Sequence, residues 1–516
     1  MKTKTKTNRK PFKEPIFFAA YKKIRNQFRQ YHPLQLIDAC INYLYSPTKN
    51  EIDQLQKTPW LVLLLIKWIL IDDQFSTSRK KELTQNKFNK ILQMMHDLGA
   101  KIRMPSEYSH HTLFFRNIAY QQFLYQHPLN LACLARQKIL FDRVAETHFF
   151  KQEFTKKTNL SIEHYLELGL ILLCRYIIDT KPIVTSHWFD TIKSHYSSEE
   201  VNSLLELTSV DLYDMRNRLL QYETNKRTSH EYYEQTPFLN FPLIKLENKY
   251  ICVYPNILYR TIEHFIYDSL REWNSAKFMA KFGDIFERYV EKGILYSDIP
   301  YVAEKTLNKE LDGNGKVVDF LINDGVSNIF VDAKAVEMAR QGKVTHLANI
   351  VKDRVKTSII KAIEQAFDVL RRLKDTDSSN LIIKHRKNNY LLVVTFKELY
   401  LGNGQNFFDA VAKDKLQKLS EMYKDSPQIP LENMYFITID EFDYFVQLIK
   451  DGKITFASGL SKARESDREA KTMKFDFTLH LRSWDTDQKP PIYVRKESDL
   501  LFSKIETILR NNEGLS

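Results

Sequence analysis

The sequence is poor in glycine, and this excludes the phosphate-binding loops that depend on glycine. It has 13 glycines in 516 residues, which is about 2.5% against about 7% in an average protein. Neither a GxxxxGK string nor a GxGxxG string occurs, and these strings mark P-loop and dinucleotide-binding proteins. A nucleotide-binding enzyme of either class is therefore excluded.

Cysteine is also scarce. The four cysteines are far apart and form no CxxC pair: Cys40, Cys133, Cys174 and Cys252. Zinc ribbons and disulfide frameworks need clustered or regularly spaced cysteines, so neither is expected. We expect the protein to work in a reducing compartment, the cytoplasm.

No apolar run approaches the roughly 20 residues that cross a bilayer. The longest run, residues 60–71, reads WLVLLLIKWILI and contains Lys67. It predicts a buried core helix and no membrane association. The basic N-terminus leads into Pro11 and Pro15 rather than into the apolar segment of a secretory signal, which also favours a cytoplasmic protein.

Positive charge is concentrated at the N-terminus. The net charge is +12, and residues 1–30 contribute +9 of it, from ten Lys or Arg against the single acid Glu14. Such a basic arm attracts polyanions through counterion release, although like-charged tails are often only solvated. The arm favours nucleic acid, DNA or RNA, as a partner.

The first half of the chain has a helical pattern. From Pro15 to Tyr222 apolar residues recur at intervals of three and four, which predicts an all-α domain. We assign residues 1–230 to this domain and expect it to recognise a substrate, a partner protein or a second copy of the chain. Residues 231–273 are interpreted as a linker with a β-hairpin, whose strands cover 241–246 and 250–254.

The second half combines helices with strands. Residues 274–295 predict a helix with one apolar face, and three strand-like runs follow at 301–307, 317–322 and 329–333, with glycine turns at 312–315 and 323–325. A second helix is predicted over 351–373 and a fourth strand over 390–396. Residues 433–450 predict a further strand and helix that complete a domain at 274–450, and 451–516 are interpreted as an α+β extension.

Two aspartates and a lysine lie on the second and third predicted strands. Asp319 lies inside VVDFLI, and Asp332 and Lys334 flank Ala333 near the end of IFVDAKA. Side chains alternate along a strand, so Asp332 and Lys334 share a face, and strand pairing can bring Asp319 beside them. Carboxylates with a substrate phosphate form an ordinary Mg²⁺ site, and an ammonium adds a compact positive charge. This set suits phosphodiester hydrolysis with Mg²⁺ or Mn²⁺.

Asp319, followed thirteen residues later by Asp332-Ala333-Lys334, resembles the D…(D/E)xK signature of the PD-(D/E)XK nuclease superfamily. The core of that superfamily has the order αβββαβ, which matches the predicted elements. The resemblance implies a restriction-endonuclease-like α/β core after the all-α domain. It also implies that Asp319 and Asp332 hold the metal ion, that the Ala333 carbonyl helps, and that Lys334 assists the nucleophilic water.

The resemblance extends to both helices of the core and covers about residues 274–445. Many members carry a glutamate on the first helix, and Glu287 fits that place as a further metal ligand, ahead of its neighbour Glu291. Gln365 on the second helix resembles a glutamine of restriction-like members, and a solvated helix face accounts for it equally well. Val318 stands where the family name has proline.

The resemblance implies a metal-dependent nuclease that cuts DNA or structured RNA, tRNA included. Chains that join such a nuclease to a helical half resemble prokaryotic anti-phage defence effectors, and defence is the expected role. A degenerate nuclease fold that only binds nucleic acid as a scaffold is the non-catalytic alternative. The presence of all four residues, Glu287, Asp319, Asp332 and Lys334, disfavours it.

A second candidate site lies in the helical half. Arg143 and His148 have the R-x4-H spacing of HEPN ribonucleases, which are also helical and need no metal. In such a site arginine holds phosphate while histidine transfers protons. Val144 replaces the polar residue that usually follows this arginine, and this weakens the resemblance.

The basic arm gives a first test. Deleting residues 1–13 removes six positive charges, and we expect the slope of log affinity against log salt concentration to flatten, because nucleic-acid binding then releases fewer counterions. Filter binding between roughly 50 and 200 mM salt measures the slope. An unchanged slope would mean that the arm is only a solvated tail.

Overall fold

The computed structural model describes residues 13–76, 81–126, 129–221, 227–313, 315–376 and 378–513. The basic arm before Lys13, and Asn314 in the first predicted glycine turn, lie outside these residues. The described chain is mostly helical in its N-terminal region and mixed α/β beyond it, with two mixed sheets. The multidomain α then α/β arrangement is therefore present.

Eleven α-helices precede the hairpin among the described residues. They are α1 Glu14–Phe28, α2 Pro33–Tyr45, α3 Glu51–Gln56, α4 Pro59–Ile71, α5 Gln85–Asp97, α6 His111–Gln126, α7 Ala132–Gln137, α8 Phe149–Thr158, α9 Ile162–Ile178, α10 Ser198–Thr208 and α11 Leu212–Gln221. Local sequence fixes their ends. At α10, for example, the Ser197 hydroxyl accepts from the Glu200 N–H while the Glu200 carboxylate accepts from the Ser197 N–H, which is a capping box.

The most apolar helix, α4, is buried as predicted. All of its residues except Trp60 are buried. Residues 51–71 are long and apolar enough to cross a membrane by composition, and most of this stretch is buried inside the fold. The Lys67 ammonium lies 2.7 Å from the buried carboxylate of Glu231, which also accepts a hydrogen bond from Trp68. A distant carboxylate thus compensates the charge inside the apolar helix.

The helical region also contains strands, which corrects the all-α prediction. The strands β1 Ile183–Thr185, β2 Ser209–Asp211, β3 Leu243–Leu246 and β4 Lys249–Cys252 form one sheet in the order β1-β4-β3-β2. The predicted antiparallel hairpin is confirmed as β3 and β4, while β1 pairs antiparallel with β4 and β2 pairs parallel with β3. The first two strands have three residues each, too few to show a period of two.

Residues 231–273 are more than the predicted linker, because α12 Pro255–Trp273 is a long and largely buried helix. Its Ile257 packs in the core of the N-terminal helices. Its Leu258 and Ile262 pack in a larger core that also holds residues of the second sheet. The helical and α/β regions are therefore joined by a packed helix.

The α/β region contains the predicted order of elements, with short helices inserted among the described residues. Its elements are α13 Ser275–Tyr296, β5 Tyr301–Ala303, α14 Glu304–Glu310, β6 Phe320–Asp324, β7 Ser327–Lys334, α15 Arg340–Lys343, α16 Ala348–Val355, α17 Lys361–Asp375, β8 Asn388–Thr395, α18 Gly404–Phe407, α19 Lys413–Met422, β9 Met434–Thr438 and α20 Ile439–Lys450. A π-helical turn joins α16 to α17. The sequence αβββαβ is present as α13, β5, β6, β7, α17 and β8, and the inserted helices are α14, α15, α18 and α19.

The second sheet has the order β5-β6-β7-β8-β9. Its first three strands form an antiparallel meander, and β7, β8 and β9 run parallel. Alternate residues of the strands pack on opposite faces. Ile329 and Val331 contact the core that contains α13 and α20, whereas Phe330 packs in the core that contains α16 and α17. Helices therefore cover both faces, and polar side chains can gather only at the sheet ends.

Two strand boundaries differ from the prediction, and both differences affect the site. The first strand ends at Ala303, because Glu304 begins α14, where a carboxylate is favourable near the N-terminal end of the helix dipole. Asp319 precedes β6 instead of lying within it. Its side chain, rather than its backbone, accepts the hydrogen bond of the Ala333 N–H.

The C-terminal extension is helical, not α+β. Up to residue 513 it contains α21 Phe456–Arg468, α22 Phe477–Trp484 and α23 Ile492–Glu513, and no strand among the described residues. Polar side chains mark two of the helix starts. Thr455 caps α21 and Asp476 caps α22 by accepting backbone N–H groups. Both residues act as N-caps, and each begins a helix in the segment interpreted above as α+β.

The buried Lys67–Glu231 pair gives a stability test. Glu231→Gln removes the buried carboxylate that contacts Lys67 at 2.7 Å and should lower the free energy of unfolding by about 3 to 5 kcal/mol. Lys67→Met should lower the free energy of unfolding much less, because Arg227 also contacts Glu231 at 2.6 Å and keeps the carboxylate paired. Urea denaturation measures both changes. Equal losses in the two variants would contradict this account.

Candidate active site

The two predicted aspartates meet where β6 enters the sheet beside the end of β7. Phe320 pairs with Val331 in the antiparallel register, so one further step places Asp319 opposite Asp332. The Asp319 carboxylate accepts a hydrogen bond from the Ala333 N–H at 2.7 Å. This bond holds Asp319 against Asp332-Ala333-Lys334, called the D-A-K segment below.

Asp332 is a buried carboxylate with one oxygen unused. Its side chain is fully buried, and its Oδ1 lies 2.5 Å from the Lys334 ammonium. Its Oδ2 has no hydrogen-bond donor in the described part of the chain. Burial and the adjacent Asp319 carboxylate raise the pKa of Asp332 well above its ordinary value, against the opposing effect of Lys334. A buried carboxylate oxygen without a donor lowers the stability of the fold unless a donor or a cation reaches it.

Lys334 lies between Asp332 and helix α17. Its ammonium is 3.5 Å from the side-chain oxygen of Gln365, and the Gln365 amide donates to the Val317 carbonyl. Gln365 is buried, so the solvated-face alternative is wrong for this residue. Helix α17 covers the sheet face that carries Asp332 and Lys334. Its polar residue Gln365 lies against the polar end of that face.

Two glutamates add to the acidic cluster. One carboxylate oxygen from each of Glu287, Glu304 and Asp319 lies within 4.8 Å of the other two, close enough to share one cation. Glu287 projects from α13, as predicted. Its neighbour Glu291 instead accepts a hydrogen bond from the Tyr301 hydroxyl at 2.9 Å, which supports the choice of Glu287.

Glu304 is the cluster residue that no sequence motif identifies. The D…(D/E)xK signature does not include it, and the sequence predicts that the first strand continues through it. Its backbone N–H donates to the Asp319 carbonyl at 2.7 Å, which fixes the start of α14 beside Asp319. The sequence signal is a glutamate directly after a short strand, at the beginning of the helical segment EKTLNKE.

The carboxylates raise one another's pKa values. Burial raises the pKa of Glu287 to about 7, and the carboxylates of Asp319 and Glu304 contribute. Desolvation and Asp319 also raise the pKa of Glu304, although nearby Lys334 opposes this. Like charges therefore gather at the site, only partly offset by the ammonium groups of Lys334 and Lys361, and this favours the binding of a cation.

The donor set fits a hard divalent cation. The cluster offers carboxylate oxygens, which Mg²⁺ and Mn²⁺ prefer over nitrogen or sulfur. Two of the three predicted metal ligands, Asp319 and Glu287, belong to the group of three carboxylates that also contains Glu304. Asp332 lies outside this group and stands behind Asp319 with its buried Oδ2 available.

The residues of the second candidate site have other partners. Arg143 donates to both carboxylate oxygens of Glu497 on α23. His148 caps α8 by accepting from the Phe150 N–H at 3.3 Å, and its ring packs edge-to-face with the Phe150 ring, with the ring centroids 4.5 Å apart. Burial and nearby cations lower the pKa of His148. Both side chains therefore have structural contacts that account for them.

The sequence matches no protein-family model, and no curated protein and no solved structure matches the chain. The chemistry assigned to the cluster therefore depends on the geometry of its own residues.

The raised pKa of Glu287 predicts a pH-dependent stability. Between its ordinary 4.5 and about 7, the folded protein keeps a proton on Glu287 that the unfolded chain releases, so this contribution to stability is lost as pH rises. In EDTA, the melting temperature of Glu287→Gln should exceed that of the wild type by a margin that grows from about pH 5 to about pH 8.

Glu291→Gln is the matched control, one helical turn away on the same helix. Its carboxylate contributes least among the neighbouring carboxylates that raise the pKa of Glu287, so its difference from the wild type should change much less across the same pH range. An equally small change for Glu287→Gln would contradict the prediction. Differential scanning calorimetry of the three proteins decides between these results.

Proposed function

We propose that this protein is a metal-dependent nuclease that hydrolyses phosphodiester bonds in DNA or structured RNA, with Mg²⁺ or Mn²⁺ as its cofactor. The observation that carries the proposal is the meeting of Asp319, Asp332 and Lys334 at one end of the second sheet. The order α13, β5, β6, β7, α17 and β8 around them supports a restriction-endonuclease-like core.

The acidic residues would hold the metal ion. Asp319 is central, since it contacts the D-A-K backbone and lies within reach of Glu287 and Glu304. Asp332 would contribute its buried Oδ2. When bound, the ion supplies positive charge that makes a water more acidic and offsets charge on the phosphate.

Lys334 would act on the reacting groups directly. Its ammonium has three N–H donors, of which Asp332 and Gln365 engage two, and the third can hold the attacking water or a non-bridging phosphate oxygen. A fixed donor aimed at developing charge lowers the barrier without reorganisation. Gln365 is a positioning residue, because its amide is itself held by the Val317 carbonyl.

The proposed substrate and setting follow from the charge distribution and the domain order. The net charge of +12 and the basic arm favour a polyanion. The helical N-terminal region would recognise the substrate, a partner protein or a second copy of the chain. Prokaryotic anti-phage defence in the cytoplasm is the role we propose for such a nuclease.

Neither alternative is favoured by a specific observation. The HEPN-type ribonuclease needs Arg143 for phosphate, and Glu497 already binds that guanidinium. The non-catalytic scaffold would not need, next to a lysine, a buried carboxylate oxygen that lacks a donor among the residues described here.

Cleavage assays test the proposal. Plasmid DNA, single-stranded DNA and total RNA are incubated with the full chain and Mg²⁺, Mn²⁺ or EDTA, and we expect cleavage only with a metal ion. Lys334→Ala should lower the single-turnover rate about a hundredfold or more while nucleic-acid binding survives. Lys334→Arg should not restore the rate, because a planar guanidinium is larger and far harder to deprotonate than an ammonium.

Metal binding provides a second readout. Asp332→Asn should abolish both cleavage and the thermal stabilisation by Mg²⁺ or Mn²⁺. The controls Glu291→Gln and His148→Ala should cleave as the wild type does. Undiminished cleavage in EDTA would refute the proposal, and an inactive His148→Ala with an active Lys334→Ala would establish the HEPN alternative.

A further inference from the structure

A separate cavity of about 540 Å³ lies at the carboxyl ends of β8 and β9. Thr395 and Thr438, the last residues of the two strands, line it. Its other walls come from residues 129–133, from α12, from residues 398–400, from α20 and from residues 476–488. The volume is in the range of small-molecule sites, about 300 to 1,000 Å³. None of the residues assigned above to the nuclease site lines it.

The lining of this cavity has more negative than positive groups. Asp487 has a local partner in a lysine two residues further along the chain, and Asp440 also has a partner, behind the wall of the cavity. The charged lining residues are Glu398, Asp440, Glu441, Asp476 and Asp487 against Arg260 and Arg482. The cavity therefore repels anions and attracts cations.

Two of the lining charges, Asp440 and Arg260, are paired with charged residues behind the wall. Arg136 pairs with Asp440 at 2.6 Å, and Glu263 pairs with Arg260 at 2.6 Å. Cys133, Glu263 and Asp440 lie within 4.8 Å of one another, but both carboxylates already have these arginine partners. A metal ion is therefore not needed there, and the negative excess of the cavity remains.

Glu398 is the carboxylate open to a ligand. It is half-buried, and its carboxylate makes no hydrogen bond or ion pair within the described ranges of the chain. Only its backbone carbonyl is used, by the Tyr120 hydroxyl. Glu441 shows the same crowding of negative charge, since burial and Asp476 raise its pKa to about 7.

Aromatic residues form much of the remaining wall. The Tyr400 ring stacks on Phe475 with ring centroids 6.0 Å apart. The hydroxyls of Tyr259 and Tyr444 are both hydrogen-bonded to Asn130. Their polar ends are thus engaged within the protein. Aromatic surface next to a carboxylate is the environment that binds ammonium and guanidinium groups.

We propose that this cavity binds a small organic cation, an alkylammonium or guanidinium compound, whose N–H groups donate to Glu398 and whose carbon chain packs on Tyr400. The same lining disfavours phosphate, so this ligand is distinct from the nucleic-acid substrate. The site goes beyond the proposed nuclease activity, and a binding measurement tests it without any cleavage.

Isothermal titration calorimetry of the full chain with agmatine and putrescine is the test. We expect saturable binding with one site per chain, weakened at least about tenfold, or 1.4 kcal/mol, by Glu398→Gln. Glu421→Gln, an exposed glutamate on α19 outside the cavity, should bind as the wild type does. Adenosine monophosphate, an anion, should not compete with agmatine.

Glu398→Gln preserves the shape of the side chain. A melting curve of this variant that matches the wild-type curve establishes that it folds. Tyr400→Leu gives an independent reading, because loss of the ring should also weaken agmatine binding. The proposal is overturned if neither amine binds saturably, if Glu398→Gln binds as tightly as the wild type, or if adenosine monophosphate displaces agmatine.

Discussion

Repulsion between carboxylates is the interaction around which the α/β region is organised. The register of β6 and β7 sets Asp319 opposite Asp332, and Asp332 is fully buried. Isolated like charges in such a place would cost several kcal/mol. Lys334 offsets part of that cost, and a divalent cation would offset more. The folded state is therefore least stable when the carboxylates of the acidic cluster are ionised and no cation is bound.

The cluster keeps its shape because its members come from rigid elements that also contact one another. Helix α13 supplies Glu287, and the start of α14 is bonded to the Asp319 backbone. The Ala333 N–H fixes the Asp319 carboxylate, and α17 holds Lys334 through Gln365. Groups arranged before a ligand arrives lose less conformational freedom when it binds.

The sequence predicts elements with strong periodicity far better than contacts between elements. Helix α13 and strand β7 lie within a residue or two of their expected bounds, and strict alternation along β7 correctly puts Asp332 and Lys334 on one face. Glu304 and the burial of Gln365 depend on how α14 and α17 pack, which no local pattern encodes. The three-residue strands β1 and β2 are not predicted for the same reason, because each forms a strand only by pairing with a neighbouring strand.

Helix α12 ties the two regions of the chain into one folding unit. Ile257 is part of one hydrophobic core and Ile262 part of the other, so cutting the chain before residue 274 would strip apolar cover from both. Truncation to the α/β region alone would therefore expose apolar core surface, and the remaining chain would not be an independently folding domain. Substitutions on the exposed faces of the outer helices leave both cores intact, whereas removal of the helical half as a whole would not.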